Sequence, residues 1–176
     1  MPFAYYERLS PGRRRVYDAS DRIETVPVPG ADELRPLVAA IERGLADEQP
    51  RPTTAAAQRL IDELVRRLAV PPIRVKVSKV RPRMADGELH GLYEPANDPG
   101  EVAVISVWMR TAQRKQVVKF RTFLRTLLHE FCHHLDYELY RFPETFHTEG
   151  FYQRESHLLK QLAGEAAGAT TSPTGP

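Results

Sequence analysis

Residues 127–140 read L-L-H-E-F-C-H-H-L-D-Y-E-L-Y, and the rest of the chain is read outward from them. Val117, Phe120, Leu124, Leu127, Leu128, Phe131 and Leu135 recur at three- and four-residue steps, the period of a helix that turns one apolar stripe to a core. His129 and His133 are four apart. On a helix turning about 100° per residue they stand one above the other, nearly opposite the stripe. That is the spacing with which a helix offers two imidazoles to one metal ion, the alternative being an exposed, inert pair. Glu130 lies beside that face, where a carboxylate can act as general base toward a metal-activated water.

At 176 residues, with 41% hydrophobic and 27% charged residues, the chain predicts one domain over 1–163, large enough to bury a core. No run approaches twenty apolar residues, and the start M-P-F-A-Y-Y-E-R carries no apolar export segment. A cytoplasmic chain with no membrane partner is expected. The single cysteine, Cys132, excludes an internal disulfide and a four-cysteine zinc site, and on a helix it reads as a small buried hydrophobe. Net charge is +2. Basic residues nevertheless cluster from Arg51 to Arg83, where they meet only Asp62 and Glu63, from Arg110 to Arg125, where there is no acid, and at Arg13–Arg15. Such runs read as solvated faces, with a nucleic-acid or acidic-substrate surface as the alternative.

Pro11, Gly12, Pro27, Pro29 and Gly30 make residues 1–30 a loop-rich segment, with one extended piece near Ile23 to Val28 and no chemistry of its own. Asp32 to Leu45 and Thr54 to Leu68 have helical apolar spacing, with Asp32 and Thr53 or Thr54 as N-caps, Pro50 and Pro52 between them, and Pro71-Pro72 as the stop. The period then switches to alternation. Ile73 to Val80, more weakly Gly87 to Tyr93, and most strongly Val102 to Trp108 read as three short strands of a mostly antiparallel sheet. The fold class is therefore α+β: N-terminal helices, a small three-stranded sheet, the histidine helix and a C-terminal helix with Phe151, Glu155, Leu158, Leu159 and Leu162 in register. Residues 164–176, rich in Gly, Ala, Thr and Pro, read as a disordered tail.

A catalytic zinc takes three protein ligands, so two histidines need a third. Pro143 stops the histidine helix and the chain turns back, which brings His147 across its face. The rivals are Glu149, Glu155, His157 and His90. His134 points to another side of the helix. Asp136, seven after His129 and three after His133, is placed to orient a ligand imidazole from behind.

H129-E-F-C-H133, a gap of thirteen, then H147-T-E-G-F151 resembles the SprT-like zinc metallopeptidases, which carry a Phe four residues after the third histidine. The resemblance spans roughly residues 72–162 and is specific at these two motifs. The family usually has Gly directly after the third histidine, where this chain has Thr148 and places its glycine at Gly150. Many members add a cysteine-rich zinc ribbon that one cysteine cannot build. The resemblance implies a zincin-like minimal peptidase with one Zn2+ per chain on His129, His133 and His147, Glu130 as general base, and a protein or peptide substrate. A DNA-associated role known for some members carries over less well. Tyr140, Tyr152, Arg154 and His157 are the candidates for holding the oxyanion or the substrate, and the strand Val102 to Val107 is the candidate edge for an extended substrate backbone.

Overall fold

Alternating burial sorts the two longest strands before any topology is considered. In a computed structural model describing residues 3–84, 87–112 and 114–164, β1 (Ile73–Val80) buries Ile73, Val75 and Val77. The strand called β5 (Ala103–Arg110) buries Ala103, Ile105, Val107 and Met109. Between them come two two-residue strands, β2 (Arg83–Met84) and β3 (Gly87–Glu88), which pair with each other, and β4 (Gly91–Glu94). The three-stranded sheet has the order β1-β5-β4.

β1 and β5 run parallel, from Ile73 opposite Ala103 to Val80 opposite Arg110, while β4 runs antiparallel to β5 with Gly91 opposite Val107. The sheet is mixed, which corrects the mostly antiparallel expectation. Alternation states which face is buried but carries no information about strand direction or neighbour. The strand order places β5 in the centre, hydrogen-bonded to β1 on one side and to β4 on the other, so the strand proposed as a docking edge has no free edge to offer.

Helices cover the buried face. α3 (Pro50–Leu68) packs on β1 and on α2 (Arg35–Ala46); α4 (Phe120–Glu138) packs on β4 and β5; α5 (Glu149–Ala163) packs on α4. α4 sends Phe123, Leu124, Leu127, Leu128, Phe131, Cys132 and Leu135 inward, all essentially inaccessible. At about 1.5–3 kcal/mol per large apolar side chain, this stripe anchors the helix. Val117 is not part of it: it lies before the helix, bridged to Arg110. α4 ends at Glu138, ahead of Pro143, and Arg141 takes the left-handed conformation (φ 57°) that turns the chain back.

Two boundaries differ from expectation because prolines were read as separators. Pro50 and Pro52 sit within the first turn of α3, where a missing N–H costs nothing. Thr53 and Thr54 are not caps; their hydroxyls donate to the carbonyls of Gln49 and Pro50. Asp32 likewise caps nothing, lying in a 3-10 turn that precedes α2. The larger correction is α1 (Pro11–Asp21), in the segment read as loop. Ser10 caps it by accepting from the Arg13 N–H, and Pro11 opens it, so the residues that signal a turn here start a helix. The piece Ile23 to Val28 joins no sheet: the Val26 and Val28 N–H groups donate to side chains of His157 and Gln161. Of the tail, only Gly164 lies within the described residues, where no helix is long and apolar enough to cross a membrane.

Candidate metal centre

His129 and His133 project from α4 on the side away from its core stripe, and the chain after α4 brings His147 onto them. His147 Nε2 lies 3.0 Å from His129 Nε2 and 3.1 Å from His133 Nε2. These three form a group able to hold a metal ion. A tetrahedral ion with bonds of about 2.0–2.1 Å to imidazole spaces its nitrogens about 3.3 Å apart, close to the two separations that His147 makes.

Proton bookkeeping supports the same reading. His129 Nδ1 lies 2.8 Å from Glu155 Oε2, and His133 Nδ1 lies 2.8 Å from Thr145 Oγ1. A neutral imidazole carries one ring hydrogen, and spending it at Nδ1 leaves a bare lone pair at Nε2. Two such lone pairs then face His147, which has at most one hydrogen to share. Three convergent nitrogens short of protons suit a cation between them. Burial, reinforced by the neighbouring His129 and His147, pushes His133 down to about 3, and burial together with His129 lowers His147. Neutral imidazole, the form that binds metal, is thereby favoured at both.

Phe151 explains the motif that follows His147. Its buried ring has its centroid 5.0 Å from that of His129, 4.8 Å from His133 and 5.2 Å from His147. It is the apolar floor on which all three imidazoles rest. Thr148 caps α5 by accepting the Phe151 N–H at 3.0 Å. Gly150 is needed for contact rather than for its backbone angles: a Cβ there would lie 2.7 Å from the carbonyl carbon of Asp21, whose carboxylate accepts the Gly150 N–H at 3.0 Å.

Glu130 borders the same cleft, 6% exposed, beside the backbone of Gly91 on β4. A Cβ at Gly91 would come within 2.9 Å of the Glu130 carboxyl carbon, so glycine leaves the room the side chain occupies. Burial raises the carboxyl to about 7, with His129 pulling it down and Glu155 pushing it up. A group poised there can accept and return a proton near neutrality.

The cleft has a volume of about 720 Å³ and is lined by Leu89–Tyr93, which lead into and along β4 at an edge that is unpaired among the described residues, by Arg125, Tyr137, Thr145, Tyr152 and Glu155, and by the three histidines. Tyr152 alone of the four proposed oxyanion or substrate residues lines it. Its ring stacks on His147 at 5.9 Å. Arg154 is fully buried on the other side of α5, donating to Asp136, Ser20 and Ile23, with its guanidinium between the rings of Tyr140 and Phe151. Tyr140 therefore packs against the core, and burial raises its hydroxyl to about 12. The His157 ring faces Val26.

Asp136 is buried and reaches the imidazoles only through Thr145. Its Oδ2 accepts from the Thr145 hydroxyl at 2.7 Å and its Oδ1 pairs with Arg154 at 2.8 Å. Burial raises this carboxyl above its ordinary value, an effect that Arg154 and Thr145 offset in part. The carboxylate form is the one that balances the enclosed guanidinium. Glu155, weighed as a ligand, instead bridges His129 and Arg125. His90 borders the cleft without joining the histidine group. His134 is buried, between the Tyr93 hydroxyl and the Pro71 carbonyl. Cys132 is buried, and burial raises its thiol.

The basic runs are partly neutralised. Arg66 and Arg67 pair with Glu63, Arg67 also with Glu33, Arg110 with Glu48, Arg125 with Glu155 and Arg13 with Glu144. No family model, curated protein or solved structure matches the chain.

Proposed function

We propose that this chain is a zinc-dependent peptidase of SprT-like type that hydrolyses peptide bonds in an extended segment of a protein substrate. The observation that carries the reading is the convergence of three imidazole Nε2 atoms beside a buried carboxyl near neutrality, in a cleft bordered by a free strand edge. His129, His133 and His147 would hold the ion. When bound, zinc supplies a Lewis acid that activates water near pH 7 and polarises the carbonyl under attack.

The chain's own residues do the rest. Glu130 takes the water's proton on its carboxylate and returns it to the leaving amine, and its dry position keeps proton affinity high enough for both transfers. Tyr152, 41% exposed and stacked on His147, is placed to donate its hydroxyl to a developing oxyanion at the mouth. The edge of β4, not β5, is the backbone an extended substrate can pair with, and pairing through main-chain groups gives broad side-chain tolerance.

The test combines composition with turnover. The purified chain should hold about one zinc, and Glu130→Gln should keep that zinc while cleavage of an unfolded protein substrate falls about 10²–10⁴-fold. Turnover unchanged in Glu130→Gln would rule out this mechanism, and a chain without zinc would rule out the metal.

A further inference from the structure

His129 and His133 each spend Nδ1 on a tether, and the tethers differ in kind. At His129 the partner is a carboxylate in direct contact, Glu155, whose second oxygen is held by Arg125 at 2.7 Å. At His133 the partner is a hydroxyl, which can donate or accept and so by itself specifies nothing. What specifies it lies further back. Thr145 Oγ1 is 2.7 Å from Asp136 Oδ2, and a carboxylate only accepts, so the one hydroxyl hydrogen of Thr145 points to Asp136. The remaining lone pairs of Thr145 can then only accept from His133 Nδ1. Asp136 is in turn fixed as an acceptor by Arg154, whose guanidinium is fully buried and anchored on the carbonyls of Ser20 (2.6 Å) and Ile23 (2.5 Å).

We infer that Arg154, Asp136 and Thr145 form a proton-ordering chain that sets the tautomer of His133, holding its ring hydrogen on Nδ1 and baring Nε2 toward the other two histidines. All three are positioning residues, and Thr145 is the one through which the others act. The order of hydrogens is dictated by the Arg154 guanidinium, which can only donate. The purpose of a bare Nε2 rests on the peptidase reading above; the tautomer itself does not.

The experiment uses the full chain, stripped of metal by chelator and with 15N-labelled histidine. Long-range 1H–15N correlation spectra at pH 7.5 report the tautomer, with the His133 signals identified by their loss in His133→Gln. The wild type should show the Nδ1–H form at His133. Thr145→Val should give a mixture of tautomers and a zinc affinity, measured by chelator competition, lowered about 10–100-fold. Thr145→Ser, which restores the hydroxyl, should recover both readouts, and Thr145→Ala gives a second deletion if valine prevents folding. An Nε2–H form in the wild type, or an unchanged tautomer in a folded hydroxyl deletion, would overturn the inference. A wild type that shows the Nδ1–H form but binds no zinc would leave the chain standing and overturn the peptidase reading instead.

Discussion

The wall of the cleft that carries His129 and His133 is one side of α4, whose other side is packed with leucine and phenylalanine. The wall that carries His147 is the segment between α4 and α5, fastened to its surroundings largely through polar contacts. Tyr5 donates to the His147 carbonyl, Arg13 to Glu144, and Gly150, in the first turn of α5, to Asp21, while Phe146 packs on Tyr17. Apolar packing is strong and non-directional, so it fixes where a helix lies. Hydrogen bonds are weaker net but directional, so they fix where a loop atom points. The histidine group needs both, and the two walls should fail differently.

Leu128→Ala on the packed wall should cost about 2–5 kcal/mol of unfolding free energy. Zinc affinity of the molecules still folded should stay within a factor of about three, because α4 remains a helix. Denaturant unfolding together with chelator competition reads both, and a large loss of affinity would erase the distinction between the walls. Glu130, on that same wall, allows a sharper version. Its folded carboxyl, raised to about 7, keeps its proton where the unfolded chain, at an ordinary carboxylate value, has lost it. The stability this gives is full at low pH and disappears as pH rises through 7. Metal-free Glu130→Gln should therefore gain on the wild type by about 1–3 kcal/mol more at pH 8 than at pH 5, read as the difference between their melting curves.

On the polar wall, Gly150→Ala must push the Asp21 backbone away. A stability loss of about 1–3 kcal/mol is expected, accompanied, unlike in Leu128→Ala, by at least tenfold weaker zinc binding. The smallest effect belongs to Tyr5→Phe, which removes one exposed hydrogen bond, worth about 1 kcal/mol or less. It should be seen as faster zinc release in a stopped-flow chelation experiment with the melting temperature nearly unchanged.

The same division separates what the chain spelled out from what it concealed. The packed wall is periodic, so α4, its inward stripe and the outward His129 and His133 could be read from spacing alone. The polar wall is not periodic. Thr145 is one hydroxyl in a loop, and nothing local marks it as the partner of an imidazole twelve residues earlier. Arg154, in the sequence a candidate for holding the oxyanion or the substrate, is instead enclosed, because carbonyls from a distant segment and a carboxylate on α4 meet it. That distant segment was itself misread, since Ser10-Pro11-Gly12 serves equally as a turn and as a helix start. Strand direction in the sheet was hidden for the related reason that alternation is blind to partners. His147 was reachable because a gap of thirteen and a Phe four residues on made a motif, and Phe151 turns out to be the ring under all three imidazoles.

The carbonyls of Ser20 and Ile23 that meet Arg154 have a practical consequence for anyone trimming the protein. A shortened version starting at α2 would look harmless, since it keeps the sheet, the histidines and both helices that bear on them. It would also unseat an enclosed guanidinium from two of its oxygen partners, inviting water into the joint between α4 and α5. The segment from α1 to Ile23 thus behaves as a plug, and any minimal fragment intended for crystallisation or screening should retain it.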